Sequence, residues 1–293
     1  MFDFGRLITA MVTPFNKKGD VDYKQAIQLA HFLVQTGTQS IVVAGTTGES
    51  PTLTHPEEST LFKTMVENFK GKTPILAGTG SNCTKTAITS TKEAEALGVD
   101  GSLQVVPYYN RPSQEGIYAH FSTIASATSL PIILYNIPSR TGRNMEPTTV
   151  AKLAKIPNII GLKESSGSID QLIALKHALP SSFLLYSGDD CMTLPFLKEG
   201  AHGVISVASH CVGELIHTLI TAFLSDDMQT AERIHAHCLP LFEGLFDAPN
   251  PTLIKAVLNH MGVPVGGLRL PLLEATLEQK EKVYLLLKEV LAP

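Results

Sequence analysis

The sequence carries no surplus of positive charge. Its 23 lysines and arginines face 27 aspartates and glutamates, a formal net charge of -4 at pH 7, so nothing in the charge balance favours nucleic acid or an anionic membrane as partner. Long apolar runs are missing too. No stretch is long enough to span a bilayer, and the first residues, MFDFGRLITAMVTPF, lack the basic start, apolar centre and small-residue cleavage site of an export signal. A cytoplasmic protein is expected. The four cysteines, Cys83, Cys191, Cys211 and Cys238, are scattered and form no C-x-x-C pair, which suits reduced thiols rather than a disulfide framework. Phosphate-binding signatures are absent: GTTGES (45–50) is followed by no Gly-Lys-Ser/Thr, and AGTGSN (77–82) departs from G-x-G-x-x-G. One metal-like cluster, His235-Ala236-His237-Cys238, lies in a helical pattern, where i and i+2 point to different faces and do not readily share a metal. Neither a metal nor an organic cofactor is expected.

What the chain does hold is a series of short runs rich in Val, Ile and Leu. They are LITAMV (7–12), SIVVAG (40–45), PILAGT (74–79), SLQVVP (102–107), PIILYNI (131–137), IIGLK (159–163), FLLYSG (183–188) and GVISV (203–207). Each is near-continuous rather than alternating, as befits a parallel strand covered on both faces. Helical patterns lie between them. Thr54-His55-Pro56-Glu57 reads as a capping box with proline in the first turn, and TKTAITSTKEAEALG ends in Gly98, a plausible helix stop. Strands recur every 20 to 35 residues or so, the length of a βα unit, and eight in a row predict a (β/α)8 barrel rather than a doubly wound sheet. Residues 1–225 are assigned to the barrel. From 226 to 293 the strand signal stops, and three helical patterns predict a C-terminal helical extension packed on the barrel rather than an independent module.

The sixth run, IIGLKESSG, ends in a lysine. A strand-end lysine is usually just wet. Barrel enzymes, however, place their chemistry at the carboxyl ends of the strands, where Lys163 stands. Other strand ends offer partners. The second leads into Gly45-Thr46-Thr47-Gly48-Glu49, two glycines around two hydroxyls, which by itself is an ordinary tight turn but which also presents N–H and O–H donors. The fifth ends in Tyr135-Asn136-Ile137-Pro138-Ser139-Arg140. A barrel sets strands five and six side by side, so Tyr135 and Lys163 are expected to meet across the lumen. A phenol there relays protons, and Arg140 has a planar fork suited to a carboxylate, although loop arginines are commonly only solvated. The fourth ends in Tyr108-Tyr109, adjacent residues that point opposite ways, so both cannot enter one site. A lysine attacks only when neutral, and burial lowers its pKa. A neutral Lys163 forms a Schiff base with a keto acid, and the iminium then acts as an electron sink. Thr46, Thr47 and their N–H groups are candidates to hold the keto acid's carboxylate.

Taken in order, GTTGES, YYNRPSQEG, YNIPSRTG and GLKESSG resemble the dihydrodipicolinate synthases, within the superfamily of pyruvate-dependent class I aldolases and lyases; the likeness runs through the whole chain, helical tail included. The resemblance implies that Lys163 binds pyruvate as an imine and that Thr46, Tyr135 and Tyr109 form a proton relay, with Tyr109 supplied by an adjacent subunit. It implies that Thr47 holds the pyruvate carboxylate and Arg140 the carboxylate of the second substrate, while Gly188 and Ile205 line the pocket. The implied reaction condenses pyruvate with L-aspartate 4-semialdehyde on the way to diaminopimelate and lysine, in a homotetramer built as a dimer of dimers.

One departure concerns regulation. Ser50, His55, Asn82 and Tyr108 match the residues through which inhibited members bind lysine, but Thr86 stands where those members carry a glutamate and Glu58 replaces a second histidine. Losing a carboxylate partner costs a bound ammonium a hydrogen bond of about 1.5–3 kcal/mol, so weak or absent inhibition by lysine is expected. Two other readings compete. A sister enzyme, N-acetylneuraminate lyase or a keto-deoxy sugar acid aldolase, would use the same imine with a sugar acceptor, against which Arg140 argues. A catalytically silent barrel sensing pyruvate or regulating transcription would need a basic patch or a DNA-binding motif to serve as a regulator, and neither is present.

Overall fold

Each of the eight apolar runs forms a strand. The computed structural model describes residues 3–292, and the strands are β1 (Leu7–Ala10), β2 (Ser40–Val43), β3 (Ile75–Gly78), β4 (Gly101–Val105), β5 (Ile132–Asn136), β6 (Ile159–Glu164), β7 (Leu184–Ser187) and β8 (Gly203–Ser206). All pairings are parallel, and β1 closes on β8, giving a closed barrel in sequential order. The residues are buried on both sides of the sheet, which is why the runs show no alternation. Inward-pointing residues, Ile8, Val42, Leu76, Ile133, Tyr186 and Ile205 among them, fill the lumen as a packed core rather than a pore.

Helices cover the outside, and their ends follow local chemistry. The helix His55–Phe69 opens on the expected capping box: Thr54 donates its backbone N–H to Glu57 Oε2 at 2.8 Å, and its side chain accepts in return. The helix Thr84–Leu97 stops at Gly98, whose φ of 88° is the left-handed conformation glycine adopts freely. The helix Ser209–Leu224 completes the barrel. Beyond it come three helices, Met228–Gly244, Thr252–His260 and Leu277–Leu291, packed on one another and on Ser209–Leu224. One apolar cluster runs without a break from Leu29 and Ile216 on barrel helices to Leu241, Val257 and Val283 in the extension. The His235–Cys238 segment serves this packing: Cys238 is fully buried, and His237 Nε2 donates to Val290 O at 3.0 Å. Among the described residues, no helix is long and apolar enough to cross a membrane.

Candidate active site

Strand register brings the two central side chains together. Tyr135 on β5 and Lys163 on β6 are Cα partners, so both project into the lumen from the same level near the carboxyl ends. Lys163 Nζ sits over the Tyr135 ring, 4.4 Å from its centroid. Both residues are buried, with 5% and 6% of their surface exposed. Burial brings the Lys163 amine down to about 8, against the opposing pull of Asp189 and Asp190 and with a smaller push from the Arg140 guanidinium. Burial likewise lifts the Tyr135 phenol to about 12, while Arg140 and the hydroxyls of Ser165 and Thr46 favour its ionised form. At neutral pH an appreciable fraction of Lys163 is therefore free amine beside a phenol that keeps its proton, the pairing that imine chemistry needs.

The backbone around the lysine is shaped to admit it. A Cβ at Gly188 would overlap Ser165 Oγ and stand 2.8 Å from Lys163 Cε, so only glycine leaves room for the lysine stem at the end of β7. Next to Lys163 in the chain, Glu164 points outward and is fully buried. It accepts hydrogen bonds from Asn136 Nδ2 at 3.0 Å, Gln171 Nε2 at 2.9 Å and Ser166 N at 2.6 Å. Three donors around one carboxylate, with the Asn144 amide bonded to Gln171 behind them, pin the ends of β5 and β6 together. Asp190 does the same for β8, accepting from Ser206 Oγ and from the N–H groups of Val207 and Ala208.

A cavity of about 390 Å³ opens over this centre. Thr46, Tyr108, Tyr135 and Arg140 stand in its wall, and so do Ser50, Glu58 and Thr86 at the other end. Lys163, Thr47, Gly188 and Ile205 are not part of that wall. Lys163 touches it through Tyr135, Gly188 lies against the lysine stem, and Ile205 belongs to the packed lumen. Tyr108 and Tyr109 diverge: Tyr108 faces the cavity, whereas Tyr109 is 91% exposed with a φ of 73°. Ser50 Oγ donates to Glu58 Oε1 at 2.7 Å, and burial raises the Glu58 carboxyl above its ordinary range. His55 instead contacts the Glu93 carboxylate, and Asn82 offers its backbone oxygen to Asn110 Nδ2; neither joins the cavity wall.

The turn 44–49 holds groups that the motif alone did not reveal. Ala44 and Glu49 both adopt left-handed conformations, φ 53° and 55°, which cost a non-glycine residue roughly 1–2 kcal/mol each. Thr47 is buried, and its Oγ1 accepts from Asn250 Nδ2 at 2.9 Å. Glu49 Oε1 pairs with Lys255 Nζ at 2.5 Å, both side chains being almost wholly buried. Asn250 and Lys255 come from the extension, more than 200 residues away; no periodicity or local motif marks them. Glu164 was equally invisible, since an acid after a strand-end lysine reads as a surface residue.

The sequence profile described as the Dihydrodipicolinate synthetase family matches residues 3–290. A 4-hydroxy-tetrahydrodipicolinate synthase of Moorella thermoacetica is 52% identical over 286 residues, 98% of each chain, and that of Thermosynechococcus vestitus is 54% identical over 94% of each. Among solved structures, a dihydrodipicolinate synthase of Bacillus anthracis superposes with a TM-score of 0.97 at 42% identity, covering 98% of this chain and 99% of that one. The enzyme of Cyanidioschyzon merolae, solved with lysine bound, gives 0.96 at 48% identity over 98% of both.

Proposed function

The chain belongs to the dihydrodipicolinate synthetase family, and on that premise we propose how its residues divide the chemistry. The activity is that of a 4-hydroxy-tetrahydrodipicolinate synthase, a lyase that condenses pyruvate with L-aspartate 4-semialdehyde in diaminopimelate and lysine biosynthesis. The observation that carries the reading is the Lys163 amine, buried at the end of β6, brought down to about 8 and seated over Tyr135.

Lys163 attacks the pyruvate carbonyl, and the carbinolamine loses water to give the imine. Tyr135 passes the protons in and out, with Thr46 as the next member of the relay. Thr47 holds the pyruvate carboxylate. The imine loses a proton from its methyl carbon, and the resulting enamine attacks the semialdehyde, whose carboxylate is gripped by Arg140 at the cavity wall. The amino group of the product then displaces Lys163 from the imine carbon, which closes the ring and frees the enzyme. Tyr109, extended into solvent from the single chain, is suited to complete the relay of a neighbouring subunit. The same reading makes the protein a cytoplasmic homotetramer, a dimer of dimers, with no nucleic-acid or membrane partner. Pyruvate consumption measured with L-aspartate semialdehyde, N-acetylmannosamine and glyceraldehyde in turn is expected to proceed with the semialdehyde alone. Turnover with either sugar would keep Lys163 in its role and transfer the protein to the sugar-acid aldolases.

Lysine is expected to inhibit weakly or not at all. Thr86 supplies no charge, and the Glu58 carboxylate, raised by burial and already accepting from Ser50, is a poor counterpart for an ammonium. Half-inhibition at sub-millimolar lysine in the same assay would overturn this.

A further inference from the structure

The buried pair Glu49–Lys255 needs a reason. Two charges taken out of water seldom gain stability over a well-packed apolar pair, yet here they close on a residue in a left-handed conformation that a glutamate does not adopt unaided. The ion pair itself spans from the turn to the extension. Lys255 Nζ also donates to Gly267 O at 2.8 Å, and Glu49 Oε2 accepts the N–H of Arg269 at 3.0 Å. Asn250, five residues before Lys255, is buried with 7% exposure and donates to Thr47 Oγ1. A hydroxyl that accepts one hydrogen bond still has its own proton to give, and among the described residues nothing takes it. That proton is what a carboxylate needs.

We propose that the C-terminal extension positions the substrate-carboxylate turn: Asn250 fixes the Thr47 hydroxyl as a donor, and Lys255 holds the turn in shape through Glu49. The inference rests on the reading that Thr47 receives the pyruvate carboxylate. Asn250 and Lys255 are positioning residues, acting through Thr47 and Glu49 without touching substrate.

Asn250→Asp separates hydrogen-bond direction from packing, because the two side chains have the same shape but the carboxylate accepts where the amide donated. The readouts are borohydride trapping of pyruvate on Lys163 at varied pyruvate, and the KM values for both substrates alongside kcat. Asn250→Ala is expected to raise half-saturating pyruvate about tenfold. Asn250→Asp is expected to raise it at least as much, with the semialdehyde KM within about twofold of the parent's. A folded Asn250→Asp protein with the parent's pyruvate dependence overturns the role of Asn250. The double variant Glu49→Gln/Lys255→Met removes both charges at similar size and is expected to raise half-saturating pyruvate about fivefold; an unchanged value in a folded protein overturns the role of the ion pair. Failure of the parent protein itself to trap pyruvate would remove the Lys163 reading, and this inference with it.

Discussion

Lys163→Met is expected to give a protein that is inactive and more stable than its parent. Methionine matches the lysine stem in bulk, so the packing against Gly188 and Tyr135 survives, but the nucleophile is gone. Turnover is expected to fall at least about a thousandfold, and incubation with pyruvate and borohydride to leave no added mass. The gain in stability has a definite pH dependence. The amine stands at about 8 in the folded chain against an ordinary 10.5. Below 8 the lysine is charged in both states, and the folded protein carries the whole cost of burying an ammonium, of order 3 kcal/mol. Between about 8 and 10.5 the folded chain has released its proton while the unfolded chain still holds one, so parental stability rises with pH and the cost is relieved. At pH 7 the variant should therefore melt roughly 5 °C higher, with the gap closing as pH rises through that window. A variant no more stable than the parent at pH 7 would mean that the native amine is well solvated, against the burial on which the mechanism depends.

The second large effect is expected of Tyr135→Phe. The phenol lies high, at about 12, so near neutrality it is a proton carrier rather than an anion. Its removal takes a relay group out of imine formation and out of the release step, and losing a positioned acid–base group costs about 100- to 10,000-fold. The ring remains, so the seat of Lys163 Nζ over the aromatic face is kept. The pyruvate adduct is thus expected to form slowly on Lys163 and to reach the parental mass at long incubation, while turnover collapses. Turnover within about threefold of the parent would exclude Tyr135 from the relay.

Those two residues were legible because they sit where a repeating architecture makes position meaningful. Eight continuous Val/Ile/Leu runs can be counted in the chain, the count dictates the barrel, and the barrel dictates that Tyr135 and Lys163 are neighbours; the register Tyr135–Lys163 bears this out. Capping chemistry was equally local, so Thr54–Glu57 and Gly98 could be read in place. Groups whose meaning lies in a distant partner could not be read. Glu49 is an unremarkable acid in a turn until Lys255 approaches it, Asn250 is a loop asparagine until Thr47 accepts its proton, and Glu164 is a surface residue until Asn136, Gln171 and Ser166 surround it. Tyr109 marks the opposite limit. Strand alternation predicted its direction away from Tyr108, but β4 ends at Val105 and the left-handed turn at Tyr109 (φ 73°) makes the divergence instead. The role implied for it belongs to an assembly rather than to a single chain.

The tie between turn and tail also bears on the order in which the protein comes into being. A ribosome delivers residues 44–49 early and Asn250, Lys255 and Arg269 more than 200 residues later. All eight strands have emerged by then, but the apolar cluster around them is completed only by Leu241, Val257 and Val283 of the extension. Glu49 has no cation and Thr47 no amide donor until the extension docks. On the role proposed for Thr47, the capacity to hold pyruvate arrives with the end of the chain, together with the last of its core.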